Sequence, residues 1–178
     1  MVHSIELLLD DRADAAIRQL WQVLADAGLP SQVRVTSDTN RPHITVIAAE
    51  RVAPDVDESL AELVDPLPLD IVLGAPVVFG GGRLTLARLA VASGALLALH
   101  EQVYNRSEPH VSNLFAHSKP GQWTPHVTLG RRFTPAQIGQ ALAAVEGIAT
   151  DIPASIVGLR RWDGDARTEQ RFGRVIRR

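Results

Sequence analysis

Arg41-Pro42-His43-Ile44-Thr45-Val46 and Thr124-Pro125-His126-Val127-Thr128-Leu129 are two copies of one pattern, Pro-His-(β-branched)-Thr-aliphatic. Residue frequencies give a single match on the order of once in a hundred thousand windows, so two matches in one chain carry information. Both stretches are β-branched and apolar and read as strands. On a strand, residues i and i+2 share a face. His43 and Thr45 therefore project together, with Ile44 and Val46 turned to the opposite, apolar side. His126 and Thr128 repeat this, backed by Val127 and Leu129. Each proline fixes an extended approach and donates no ladder bond, which suits the start of a strand.

Outward from the motifs, the same order of elements occurs twice. Residues 3–9 read as a strand, and Asp10 or Asp11 caps a helix whose apolar face is Ala13, Ala16, Ile17, Leu20, Leu24 and Ala27. Gly28 and Pro30 stop it. After the first motif strand (43–49) come a short helix around Asp57–Val64 and a strand through Leu69–Leu73. Phe79-Gly-Gly-Gly-Arg83 is a turn, not a phosphate-binding P-loop, because no Gly-Lys-Ser/Thr follows. Residues 84–91 read as a strand, and Ser93 caps a helix carrying Leu96, Leu99 and Val103. A polar loop at about 107–124 leads to the second motif strand, 126–131. Thr134-Pro-Ala-Gln137 is a capping box with proline at the first helical position. Ile138, Leu142 and Val145 form that helix's apolar face, Gly147 ends it, and strands follow at Ala154–Trp162 and Arg171–Ile176. Strand, helix, loop, Pro-His strand, helix, strand thus runs from Ile5 to Leu73 and again from Leu84 to Trp162. The expectation is a single α+β domain over residues 1–178, with two pseudo-symmetric lobes at roughly 1–80 and 81–178 about a pseudo-twofold axis.

A chain of 178 residues can bury a real core, and 46% apolar with 21% charged residues is an ordinary globular composition. The absence of cysteine excludes disulfides and thiolate metal sites and fits a cytoplasmic location. The start, Met1-Val-His-Ser-Ile-Glu, has neither a basic n-region nor an apolar h-region, and no apolar run has membrane-helix length, so no signal peptide and no membrane span are expected. A net charge of −2 does not announce a nucleic-acid binder. The charge is uneven, however: nine of the 18 basic residues lie after Gly130, against five acids. Either a solvated face or a basic rim for a phosphate chain accounts for that.

If the axis passes between the motifs, two imidazoles and two hydroxyls converge on one cleft. That set suits a phosphate: hydroxyls and imidazolium donate to its oxygens while one imidazole removes a proton and the other supplies one. The competing readings are structural histidines bonded to backbone, or a zinc site. Against zinc, neither motif holds a second His, Cys or carboxylate at ligand spacing.

These residues resemble the two-histidine phosphoesterases, which include 2′–5′ RNA ligase-like proteins and RNA 2′,3′-cyclic phosphodiesterases and carry a His-x-Thr/Ser-hydrophobic tetrapeptide in each lobe. The resemblance rests on His43-Ile-Thr45-Val and His126-Val-Thr128-Leu, with Arg131 at the place where the family often has an arginine after the second motif. It implies lobes of antiparallel sheet backed by helices, motifs facing across a groove, and no metal or organic cofactor. It implies His43 as proton donor to the leaving oxygen, His126 as the base, and Thr45 and Thr128 as holders of the phosphoryl oxygens. The implied partner is an RNA end or a small cyclic-phosphate nucleotide, bound by a monomer. One departure bears on the substrate: RNA-acting members often continue the first motif with an aromatic and a glycine, whereas this chain has Ile47-Ala48-Ala49-Glu50. A small-molecule cyclic phosphodiesterase and a non-catalytic nucleotide-binding module remain alternatives.

Beyond the motifs, Trp123 can stack on a base or anchor a loop, and Lys119 and His117 can touch a substrate phosphate. Phe115 and Tyr104 are expected in the core. Trp162 and Arg160, two apart on a late strand, are expected at core and rim.

Overall fold

The computed structural model describes residues 1–145 and 151–173. Gly147, and the strand expected to reach Ile176, fall partly or wholly outside them. The elements run β1 (His3–Leu9), α1 (Asp11–Asp26), β2 (His43–Val52), α2 (Asp57–Glu62), β3 (Leu69–Phe79), β4 (Leu84–Ala90), α3 (Gly94–Ser107), β5 (Val111–Leu114), β6 (His126–Phe133), α4 (Pro135–Val145), β7 (Ile152–Asp163) and β8 (Thr168–Gly173). The α+β class and the duplicated order of elements follow the sequence.

The helices begin where side chains satisfy their first N–H groups. Asp10 accepts from the amides of Arg12 and Ala13, and Ser93 accepts from Leu96. Thr134 and Gln137 cap each other reciprocally, at 2.9 and 3.3 Å. The buried face of α4 is Ala141 and Val145, with Ile138 partly covered; Leu142 points outward. That corrects the expected stripe.

Every paired strand in the sheet is antiparallel, in the order β1-β2-β6-β4-β3-β7-β8, with β5 paired to the later part of β2 on the edge away from β1, and β7 also paired to β1. Two units of three strands can be recognised, β2-β1-β7 and β6-β4-β3. Each takes its third strand from the other half of the sequence: β7 pairs with β1, and β3 pairs with β4. The lobes are therefore not the contiguous stretches 1–80 and 81–178. The units join at two seams, the Ile44–Val127 pair between β2 and β6, and the run from Leu69–Ile156 to Leu73–Ile152 between β3 and β7.

The helices obey the same approximate twofold relation. Helix α1 touches α4, β6 and β7, while α3 touches α2, β2 and β3. Ile5, Leu7, Ile44, Val46, Val127 and Leu129 are fully buried within this core.

Three local features differ from expectation. Strand β3 runs on past Gly74 and Pro76 to Phe79, because a register shift between Leu73 and Pro76 absorbs the misfit and pairing with β4 resumes. Within the polar loop, β5 adds an edge strand to β2 through Ala49–Leu114 and Val52–Val111. Strand β8 starts at Thr168, earlier than the expected Arg171.

Candidate active site

The seam at Ile44–Val127 places the two motifs side by side. Along β2 the burial alternates, with His43 and Thr45 partly open and Ile44 and Val46 closed, and β6 repeats this at His126 to Leu129. His43, Thr45, His126 and Thr128 all line one cavity of about 780 Å³.

Each imidazole is held in the same way. His43 Nδ1 lies 2.7 Å from the Arg41 carbonyl, and His126 Nδ1 lies 2.7 Å from that of Thr124. A carbonyl only accepts, so both Nδ1 atoms carry the proton, and each Nε2 is left for proton exchange in the cavity. The extended Pro42 and Pro125 present those carbonyls two residues upstream.

Each motif threonine is braced through its backbone by a tryptophan. Trp123 Nε1 donates to the Thr45 carbonyl at 2.8 Å, and Trp21 Nε1 donates to the Thr128 carbonyl at 2.9 Å. The β2–β6 ladder has only the one residue pair, so the carbonyls beyond it need other donors. Trp123 also stacks on His100, ring centroids 4.1 Å apart and 6° from parallel. His100 Nε2 in turn bonds the Ser118 carbonyl at 3.0 Å. Its N–H and one face are thus engaged by the protein, and it acts as a loop anchor on the cavity wall. Tyr104 packs against the core as expected, while Phe115 lines the cavity.

The register brings further residues to the cavity. Glu6 pairs with Thr45 on one side and Arg160 on the other, and Ser4 pairs with Trp162. In the second unit, Ala87 pairs with Thr128 and Val77, and Thr85 pairs with Arg131 and Phe79. Trp162 and Phe79 thus hold equivalent places, and both line the cavity. The Phe79 ring lies 4.5 Å from that of His126. Arg131 and His117 are also on the wall; Lys119 is exposed and is not.

Arg160 is not a rim residue. Its side chain is 4% exposed, and it binds the Glu6 carboxylate through Nε at 2.8 Å and through Nη2. Arg160 Nη1 reaches Glu169 at 2.8 Å and the Thr39 carbonyl at 2.7 Å. Arg161 pairs with Asp57, and Arg171 with Glu169. The arginine excess in the second half is therefore partly consumed by internal ion pairs.

Burial holds His126 below the usual imidazole range, helped by the charges of Arg131, His43 and His117 and opposed by its bond to Thr124. Burial pushes Glu6 up, but the charges of His43 and Arg160 and the bond from Ser4 outweigh it and hold the carboxyl below its ordinary range.

Among the described residues, the one cluster with metal-ligand spacing is His3, Asp163 and Asp165, which includes neither motif histidine. His3 Nε2 lies 3.2 Å from Asp165 and 3.5 Å from Asp163, and the Met1 amine also bonds Asp165.

Glu6, Phe79 and Trp21 were not singled out from sequence. Glu6 left a faint trace, a carboxylate alternating with Ile5 and Leu7 in an otherwise apolar strand. Phe79 and Trp21 left none, since each depends on which strands become neighbours.

The two matched His-Thr strands, one in each pseudo-symmetric unit across a shared cavity, define a protein of the two-histidine phosphoesterase class. The family model for the 2′-5′ RNA ligase superfamily matches residues 9–166, and the chain belongs to that superfamily. Solved structures share the fold at low identity. Usb1 of Kluyveromyces marxianus is 12% identical with a TM-score of 0.54, over 97% of this chain and 98% of that one. E. coli LigT complexed with 3′-AMP is 11% identical with a TM-score of 0.53, over 97% and 93%. A structure described as a phosphoesterase is 13% identical with a TM-score of 0.51, over 97% and 94%. No curated protein sequence matches the chain. Among the described residues, no helix is long and apolar enough to cross a membrane.

Proposed function

We propose that this protein is a metal-independent phosphoesterase that hydrolyses a 2′,3′-cyclic phosphate, or cleaves and reversibly forms a 2′–5′ phosphodiester. The observation that carries the reading is the pair of histidines on one cavity, each with Nδ1 tied to a carbonyl and Nε2 left for proton transfer. In hydrolysis His126 Nε2 takes a proton from water as the water oxygen bonds to phosphorus. The bond from phosphorus to one ribose oxygen breaks, and His43 Nε2 gives its proton to that oxygen. The Thr45 and Thr128 hydroxyls donate to the phosphoryl oxygens, and Arg131 adds positive charge. In ligation a 5′-hydroxyl takes the place of water: it gives its proton to His126 as its oxygen bonds to phosphorus, the bond from phosphorus to the ribose 3′-oxygen breaks and that oxygen takes the His43 proton, and cleavage of the 2′–5′ linkage runs these steps in reverse.

The depressed affinity of His126 for a proton supports its role as base near neutral pH. A nucleotide is supported by the structural neighbours, since one Usb1 structure holds uridine monophosphate and the LigT structure holds 3′-AMP. The aromatic walls Phe79, Phe115 and Trp162 suit a nucleoside as well. One observation favours a second reading, a small cyclic-phosphate nucleotide rather than a long RNA: Arg160, Arg161 and Arg171 are engaged with carboxylates, which leaves fewer arginines to meet a backbone.

The test is a panel of 2′,3′-cyclic nucleotides, short RNAs with cyclic ends and 2′–5′ dinucleotides, scored for turnover and product with and without EDTA. Turnover that survives chelation is expected. Loss on chelation, restored by zinc or manganese, would transfer the case to metal catalysis.

A further inference from the structure

The approximate twofold axis makes the two histidines equivalent in backbone but not in surroundings. Glu6 sits on β1 opposite Thr45; at the matching place on β4, opposite Thr128, stands Ala87. Among the described residues, a carboxylate therefore adjoins one imidazole and has no counterpart beside the other.

The Glu6 side chain is 5% exposed, yet it forms part of the cavity wall. Oε2 is taken by Arg160. Oε1 accepts from Ser4 Oγ at 2.6 Å and faces His43 Nε2 at 3.5 Å. Nε2 is the atom that carries the transferable proton, because Nδ1 is committed to the Arg41 carbonyl.

We propose that Glu6 is a positioning residue that keeps the proton on His43 Nε2 and thereby fixes the direction of proton flow, from His43 to the leaving group and from water to His126. The inference rests on the function proposed above and names the device that separates two otherwise equivalent histidines.

The charged neighbours of His43 come from several elements. Arg160 on β7 brings Nη2 within 3.5 Å of Nδ1. Glu169 on β8 binds Arg160, and Arg41 precedes β2 with its guanidinium 3.9 Å from Glu169. His126 faces His43 from β6. Arg160 holds Oε2 of Glu6 and so turns Oε1 toward the one ring atom of His43 that matters. At His126 no carboxylate among the described residues plays that part: Arg131 and the Phe79 ring adjoin it, and burial holds the ring below the usual imidazole range.

A bare ion pair clamping β1 to β7 would also place Glu6 against Arg160. The two roles separate in the pH dependence. Glu6→Gln keeps the size of the side chain and an acceptor for Ser4 but removes the charge. Its expected effect is a fall of about one pH unit in the alkaline limb of the kcat/KM profile, the lower end for loss of an adjacent opposite charge, with the acid limb little changed. The His43 ring, followed by NMR in the whole chain without substrate, should titrate about one unit lower in the variant. Glu6→Asp keeps a counter-charge for Arg160 and draws the carboxylate back from His43, so it should move both readouts the same way by about half as much.

An unmoved His43 titration in whichever variant folds would overturn the role of Glu6, leaving a strand clamp. That result is distinguishable from failure of the functional reading, in which the wild-type protein turns over no member of the substrate panel whatever its histidines do.

Discussion

Replacing Trp123 or Trp21 by phenylalanine tests whether the threonines are held by the indole bonds to their carbonyls. Phenylalanine keeps an aromatic body and removes the donor, so the Thr45 or Thr128 carbonyl loses its partner at 2.8 or 2.9 Å. An orphaned buried carbonyl costs about 1–3 kcal/mol. Trp21 is 2% exposed and leaves a core gap as well, which adds about 1.5 kcal/mol. The Thr45 carbonyl borders an open cavity that readmits water, so Trp123→Phe should cost only about 1.5 kcal/mol against about 3 for Trp21→Phe. For a domain of this size, 1 kcal/mol moves Tm by about 2–4 °C. The expected losses are about 3–6 °C for Trp123→Phe and about 6–12 °C for Trp21→Phe. Activity should not follow that ranking. Each bond positions one of the threonines proposed to hold the phosphate, and a displacement of a fraction of an ångström there should lower kcat/KM by about ten-fold in both. Thermal melting and steady-state kinetics on the substrate identified by the panel give the two readouts. Leu24→Ala, in the buried face of α1, is the control: it destabilises comparably without reaching the cavity. A folded Trp123→Phe variant with unchanged kcat/KM, or an equal kinetic loss in Leu24→Ala, would refute the brace.

Further outcomes follow from the same geometry. His43→Ala and His126→Ala should each lower turnover by about 10²–10⁴-fold. The double variant should lose far less than the product of the two, because the pair acts as a unit; wild-type turnover in the folded double variant would end the acid–base reading. Gly130→Ala should destabilise by several °C, since an added Cβ would lie 2.4 Å from the Pro30 carbonyl oxygen and 2.8 Å from the Phe133 ring; an unchanged melting temperature would contradict that close approach. Affinity for a short RNA with a cyclic end, measured by fluorescence anisotropy from 50 to 300 mM salt, should show a log–log slope of only about −1, as for one or two phosphate contacts. A slope near −4 would mean that the arginines of the second half do track a backbone.

The motif pair was legible because its information is local. Strand period, a proline ahead of each histidine and a threonine two residues on all lie within six consecutive residues, and the caps at Asp10, Ser93 and Thr134 are equally short-range. What was not legible depends on contacts distant in sequence. The alternation of Arg160 with Trp162 says only which face the two share, which suits a rim; the burial of Arg160 follows from pairing with Glu6 and Glu169. Lys119, which its place before the second motif lets reach a phosphate, follows the turn at Ala116–Ser118, is exposed and does not line the cavity, whereas His117 in that turn does. Trp123, which the sequence leaves open between stacking on a base and anchoring a loop, gives its N–H to the Thr45 carbonyl and still lines the cavity. Periodicity reports a face, and only tertiary pairing says what that face meets.

The exchange of third strands gives the duplication its mechanical consequence. If each half of the chain built its own lobe, the motif histidines would sit on separate bodies joined by a single residue pair, and their separation would vary with the hinge. Here β7 completes the unit of β2, and β3 completes the unit of β6. The β3–β7 seam then ties both units together on the far side from the Ile44–Val127 pair. Trp21 and Trp123 reinforce the exchange, since each reaches the motif strand of the other half. Two imidazoles can share one phosphate only if their spacing holds to a fraction of an ångström, and a sheet sewn at two seams supplies that rigidity. The divergence between the halves is then free to act where backbone symmetry does not constrain it. Glu6 against Ala87, and Arg131 against Ala48, alter the charge around each histidine and leave its position alone.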